Sequence, residues 1–241
     1  MSDSERRVFC KNAAGWMVGA ALLGEMPLLA QQKKTPPAKK KAAPEKVEEV
    51  SPAEDLMREH GVLNRILLIY DEAQRRLRAV QDFDPSVVAS SAGIIRSFIE
   101  DYHEKLEEDF LFPRFEKARR LTELTAVLRA QHRAGRRLTD QIRALATVKT
   151  VKDASGRNQL GDALQTFNRM YRPHEAREDT VLFPALHSIV TRNEYDSLGE
   201  EFEDKEHQLF GEDGFEKMVS EVAKLEQKFG IYDLARFTPA G

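Results

Sequence analysis

His103-Glu104-Lys105-Leu106-Glu107-Glu108-Asp109-Phe110-Leu111-Phe112-Pro113 aligns without a gap on His174-Glu175-Ala176-Arg177-Glu178-Asp179-Thr180-Val181-Leu182-Phe183-Pro184. Both stretches read H-E-x-x-E, an acid, two variable residues, then L-F-P. A further histidine precedes each one: His60 lies 43 residues before His103, and His132 lies 42 before His174. A motif that recurs together with the distance to its partner marks an internal duplication built on histidine and glutamate.

Around these stretches the hydrophobic period is helical. Ser51-Pro52-Ala53-Glu54 reads as a capping box with proline at the first helical position, followed by the stripe Leu56, His60, Leu63, Leu67, Tyr70, Leu77. Asp84-Pro85 opens a second helix with Ala92, Ile95, Ile99, His103, Leu106 and Phe110 on one face. A third begins near Leu121 and carries Leu124, Leu128, His132, Gly135, Leu138 and Ile142. A fourth follows Asp153-Ala154-Ser155-Gly156, with Leu160, Leu164, Phe167, Tyr171, His174, Glu178 and Val181 inward. The expected fold is all-α, an up-down-up-down four-helix bundle over residues 51–190 with one or two extra helices in 191–241. At about 1.5 Å of rise per residue, counting from the turns puts His60 and His103 within roughly 3 Å of one level. His132 and His174 fall within one helical turn of each other, so the four imidazoles should share one layer of the core.

Glu107 and Glu178 follow their histidines by four positions and so share the inward face. Two buried carboxylates at the level of four histidines are expensive without a cation. The lone cysteine, Cys10, precedes the bundle, so the donors are imidazole and carboxylate, a set that suits iron, manganese or zinc. Two glutamates reaching across a bundle axis can bridge two ions, and the expectation is a dinuclear site. Ferritin-like bundles carry Glu-x-x-His, the reverse of the order here. On the fourth helix Asp179 competes with Glu178. A four-residue step leaves a side chain about 40° from His174 and a five-residue step about 140°, which favours Glu178.

These residues resemble the hemerythrin-like (HHE cation-binding) domains, four-helix non-haem diiron proteins. The resemblance implies metal ligands at His60, His103, Glu107, His132, His174 and Glu178, with Glu107 and Glu178 as bridges and two iron ions as cofactor. Glu104 matches an additional carboxylate ligand of some eukaryotic iron-sensing members, and Asp179 satisfies the His-x-x-x-x-Asp spacing of hemerythrins proper. Oxygen-carrying hemerythrins have His-x-x-x-His on the third helix. Here Arg136 stands four residues after His132, so the fifth histidine of a reversible oxygen carrier has no counterpart. The implied function is a metal-binding protein that binds or senses oxygen, nitric oxide or peroxide, or handles iron. A diiron enzyme of peroxidase, ferroxidase or nitric oxide reductase type is the alternative, and a bundle merely stapled by metal is a third reading.

Other expectations are local. His187 should lie on the surface, His207 has no assigned role, Tyr171 should pack, and Pro173 should either kink the fourth helix to aim His174 or mark an irregular helix start. Thr191-Arg192-Asn193-Glu194 reads as another capping box, ahead of an amphipathic stripe of Phe215, Met218, Val219, Val222, Leu225 and Phe229.

Charged residues make up 32% of the 241, and the net charge of −3 becomes −6 for residues 51–241. That balance gives no basic face for nucleic acid. In residues 1–30, Glu5-Arg6-Arg7-Val8-Phe9-Cys10-Lys11 resembles a twin-arginine export signal. The apolar run that follows, from Asn12 to Gly24, is shorter than the about 20 residues a membrane span needs. Leu28-Leu29-Ala30 offers a cleavage site. Residues 31–50, rich in Lys, Pro and Ala, read as a flexible tether. The expectation is a periplasmic or otherwise exported protein with no stable membrane span after cleavage.

Overall fold

The computed structural model describes residues 50–239, so the leader and nearly all of the expected tether lie outside the described residues. Helix α1 is Pro52–Arg78. The Ser51 hydroxyl accepts the Glu54 N–H at 3.2 Å, so only the Ser51 half of the expected box is made. Helix α2 runs through residues 86–118, its first free N–H, that of Ser86, donating to the Asp84 carboxylate at 2.9 Å. Arg119 and Leu121, both with φ 53°, turn the chain sharply into α3, Thr122–Leu145. A one-turn helix, Val148–Lys152, leads to α4, residues 154–186, whose start is capped by Asp153 accepting the Gly156 N–H at 2.7 Å.

Each of these four helices neighbours the next, and α1 closes against α4, the ring of an up-down-up-down bundle. The fold is all-α, with no strand among the described residues. Two further helices follow, α5 (Arg192–Phe210) and α6 (Gly214–Phe229). Thr191 and Glu194 form a reciprocal capping box at the start of α5. Phe210, at its end, packs edge-on against Phe98 and Tyr102 of α2, with centroids 5.6 and 5.5 Å away. α6 lies on α1 and α2, held by the Arg65–Glu226 ion pair at 2.5 Å and by Phe229 against Phe83 at 5.5 Å. Among the described residues no helix is long and apolar enough to cross a membrane.

The core confirms most of the expected stripes, including Leu56, Leu63, Leu67 and Tyr70 on α1 and Leu160, Leu164 and Phe167 on α4. It departs from them after the histidines, where Phe110 and Val181 are only half-buried while Leu111 and Leu182 are sealed. The cause is a pair of widened turns. Phe112 N–H reaches back five residues to the Glu107 carbonyl, and Phe183 N–H to the Glu178 carbonyl. Each turn holds one residue more than an α-turn, so the inward register slips by one. Both precede a Phe-Pro pair, and a proline ring crowds the carbonyl four residues back while supplying no donor. Two prolines at matching places thus produce two matching bulges. A third wide stretch, Ile95–His103, leads into the first motif. Pro173 is exposed within the α-helical run Ala154–Arg177; it neither starts the helix nor widens it.

Candidate metal centre

α1 to α4 each send one histidine to the middle of the bundle, and all four are buried. The rings pair by halves: His60 lies 4.7 Å from His103, and His132 lies 5.1 Å from His174, centroid to centroid. Their Nε2 atoms turn toward two carboxylates. Glu178 Oε2 is 3.1 Å from His174 Nε2 and 3.4 Å from His60 Nε2. Glu107 Oε2 is 3.4 Å from His132 Nε2 and 3.8 Å from His103 Nε2. Each glutamate thus serves one histidine from each half. One ligand atom from each of Glu107, His132, His174 and Glu178 lies within 4.8 Å of the others.

The outward nitrogens are held just as systematically. His103 Nδ1 meets Glu59 Oε2 at 2.6 Å, and its counterpart His174 Nδ1 meets Gln131 Oε1 at 2.9 Å. His132 Nδ1 meets Glu108 Oε1 at 3.1 Å, and its counterpart His60 Nδ1 meets Asp179 Oδ1 at 2.8 Å. These partners obey the duplication. The residue before the first histidine of each half holds the second histidine of the same half. The acid after each inward glutamate holds the first histidine of the other half. The two halves are therefore cross-braced by side chains adjacent to the central ones. Phe112 stacks on His132 and Phe183 on His60, each at 5.5 Å, so the duplicated L-F-P also walls the site.

Every Nδ1 faces an oxygen acceptor and so carries the ring proton, which leaves the Nε2 lone pair pointing inward. A lone pair facing a carboxylate is repulsive unless a positive charge sits between them. Nε2 of His103 and His132 and all four oxygens of Glu107 and Glu178 are sealed from solvent without a hydrogen bond. The same demand appears in the acid–base balance. Burial, then the charge of Glu178, pushes Glu107 up to about 8. Burial alone would lower His132, but Glu104, Glu107 and Glu108 outweigh it and raise it to about 10. The Asp179 hydrogen bond and the nearby charge of Glu178 likewise overcome burial at His60 and hold it well above the ordinary range. His103 moves the other way, lowered by burial and by the charge on His60. Four inward imidazole lone pairs and two shared carboxylates are a donor set that fits a pair of cations.

Of the two additional candidates, neither joins this inner set. Asp179 stands behind His60, and the inward position belongs to Glu178. Glu104 is buried but drawn sideways, accepting the Tyr171 hydroxyl at 2.8 Å and pairing with Arg136 at 2.8 Å. Tyr171 therefore does more than pack: it touches Phe167 at 4.3 Å and also holds Glu104. Arg136 further donates to Glu108 at 2.9 Å, filling with a locked guanidinium the place one turn beyond His132. His187 is exposed and stacks on Tyr195 at 3.9 Å. Glu59, Glu108 and Gln131 escaped sequence reasoning, although their places beside His60, Glu107 and His132 were visible in the duplicated register.

The comparisons agree with this architecture. The family model "Hemerythrin HHE cation binding domain" matches residues 51–186. An uncharacterised protein of Mycobacterium bovis is 50% identical over 197 residues, 82% of this chain and 77% of its own length. Uncharacterised proteins of two Mycobacterium tuberculosis strains, CDC 1551 and H37Rv, match to the same extent. No solved structure matches. The family model spans the four helices that carry the histidines, and the chain belongs to the hemerythrin HHE cation-binding family.

Proposed function

We propose that this protein holds a carboxylate-bridged pair of iron ions and uses it to bind or sense oxygen, nitric oxide or peroxide. His60 and His103 would serve one ion, His132 and His174 the other, with Glu107 and Glu178 shared between them. When bound, such a pair supplies reversible one-electron chemistry and an affinity for small diatomic ligands and peroxide. The observation that carries the reading is the orientation of the four histidines: every Nδ1 is tied to an outer acceptor, leaving every Nε2 for the centre.

The protein's own part is positional. Phe112 and Phe183 shield the imidazoles from solvent, and the outer acceptors fix their tautomer and raise their basicity. Arg136, tied to Glu104 and Glu108, occupies the place of a fifth histidine, which favours a ligand sensor or enzyme over a reversible oxygen carrier. The donor set also accepts manganese or zinc.

Metal content and visible spectra recorded anaerobically, then after oxygen or nitric oxide, test the proposal. A new absorption band that forms with the ligand and reverses on its removal supports binding. Turnover of peroxide, nitric oxide or ferrous iron moves the reading to the enzyme. A spectrum indifferent to all of these leaves a structural metal and overturns it. Export through the twin-arginine route is part of the same proposal, motivated by Arg6-Arg7. Changing both to lysine should leave the protein in the cytoplasm, and undiminished export would contradict that assignment.

A further inference from the structure

Behind His103, on the side away from the centre, three carboxylates from two helices converge. Asp55 and Glu59 lie one turn apart on α1, and Glu206 reaches them from α5. One ligand atom from each falls within 4.8 Å of the others. Glu59 is buried, and Asp55 and Glu206 are partly so. Each has a single local duty. Glu59 accepts from His103 through Oε2, Glu206 accepts the Phe215 N–H through Oε1 at 2.9 Å, and Asp55 meets Arg58 at 3.6 Å from the solvent side.

Those duties leave donors over. Glu59 Oε1 is sealed from solvent and has no hydrogen-bond partner, in a residue with no exposed surface. The Tyr102 hydroxyl, in a residue 1% exposed, lies beside the same acids without a well-formed hydrogen bond. A buried oxygen left unpaired against two further carboxylates is costly. The strain is visible in Asp55, which burial and then Glu206 push up to about 6.

We propose that Asp55, Glu59 and Glu206 form a second cation site, distinct from the histidine centre, for one hard divalent ion such as magnesium, manganese or calcium. The donors are all oxygen, with no imidazole or thiolate to attract a softer metal. Glu59 connects the two sites, with one oxygen on His103 and the other available to the cluster. A cation there draws carboxylate charge away from the His103 N–H.

Manganese titration followed by the loss of the free-ion electron paramagnetic resonance signal tests this on the iron-loaded protein, with iron measured in the same samples. One manganese ion per chain beyond the iron is expected. Asp55→Asn and Glu206→Gln, which keep shape and acceptors, should each weaken it by about tenfold or more while the iron content stays unchanged. Glu200→Gln, elsewhere on α5, should leave it alone. Glu178→Ala separates this proposal from the functional one. Manganese that persists in Glu178→Ala and vanishes in Asp55→Asn lies in the acidic cluster, even if the histidine centre proves unable to hold iron. No manganese beyond the iron, or manganese indifferent to Asp55→Asn and Glu206→Gln, overturns the proposal.

Discussion

Asp179 on α4 holds His60 on α1 by its outer nitrogen, Oδ1 to Nδ1 at 2.8 Å, while the preceding Glu178 approaches the inner nitrogen at 3.4 Å. Two neighbouring acids thus grip opposite edges of one imidazole. Glu178→Ala should lose at least one of the two ions, because it removes a donor shared by His60 and His174. Asp179→Ala should keep both ions with affinity lowered by about 10–100-fold, the usual effect of removing a histidine's outer partner. Isothermal titration with ferrous or zinc ions measures both.

The bracing within the two halves is unequal in charge. His103 donates to the Glu59 carboxylate at 2.6 Å, whereas its counterpart His174 donates to the neutral amide of Gln131 at 2.9 Å. A carboxylate acceptor makes the imidazole a stronger ligand. The ion beside His60 and His103 is therefore expected to bind first, in a two-step titration. Gln131→Glu should tighten the second step by about tenfold and narrow the gap between the two.

Chelation should steepen the pH dependence of stability. Without cations, Glu107 and Glu175 are raised to about 8 by burial, and His132 to about 10 as its carboxylates overcome burial. Groups raised above their unfolded values stabilise the fold while protonated and lose that stabilisation as pH climbs through the folded value. His103, lowered on folding, acts oppositely, but only below its ordinary 6.5. Glu178 is held low by His174 and His60 against burial, and is ionised in both states throughout this range. The Tm of chelated protein should therefore fall between pH 6.5 and 8.5, while the Tm of metal-loaded protein, in which cations replace the protons, stays higher and flatter. Scanning calorimetry at three pH values with and without chelator distinguishes the two.

Gly135 on α3 makes room for Tyr171, whose ring and hydroxyl occupy the space a Cβ would take. Gly135→Ala should destabilise the fold by about 1–3 kcal/mol through overpacking. It should also release Glu104 from the tyrosine. Thermal unfolding gives the first effect and the change in tyrosine near-ultraviolet dichroism the second.

Much of this was legible because the duplication writes the inner site twice. The period of the stripes put His60, His103, His132 and His174 inward, and a four-residue step carried Glu107 and Glu178 with them. The burial of Leu111 and Leu182 was not legible, because an α-helical period assumes regular turns and the bulges before Pro113 and Pro184 shift it by one residue. The outer partners were missed for another reason. Glu59 and Gln131 lie one position before a histidine, outside its face on an isolated helix, and acquire their role only when a neighbouring helix brings the other ring to them. Tyr171 likewise looked like packing until Glu104 arrived from α2.

The central claim is that two ions share Glu107 and Glu178, and the Mössbauer spectrum of protein reconstituted with isotopically enriched iron and oxidised in air tests it most directly. A carboxylate-bridged ferric pair is spin-coupled to a diamagnetic ground state, so at low temperature the iron bound at the centre should give quadrupole doublets in zero field, no magnetic splitting beyond that of an applied field itself, and no ferric paramagnetic resonance. Magnetically split, isolated high-spin ferric iron, with one ion per chain, would contradict the account.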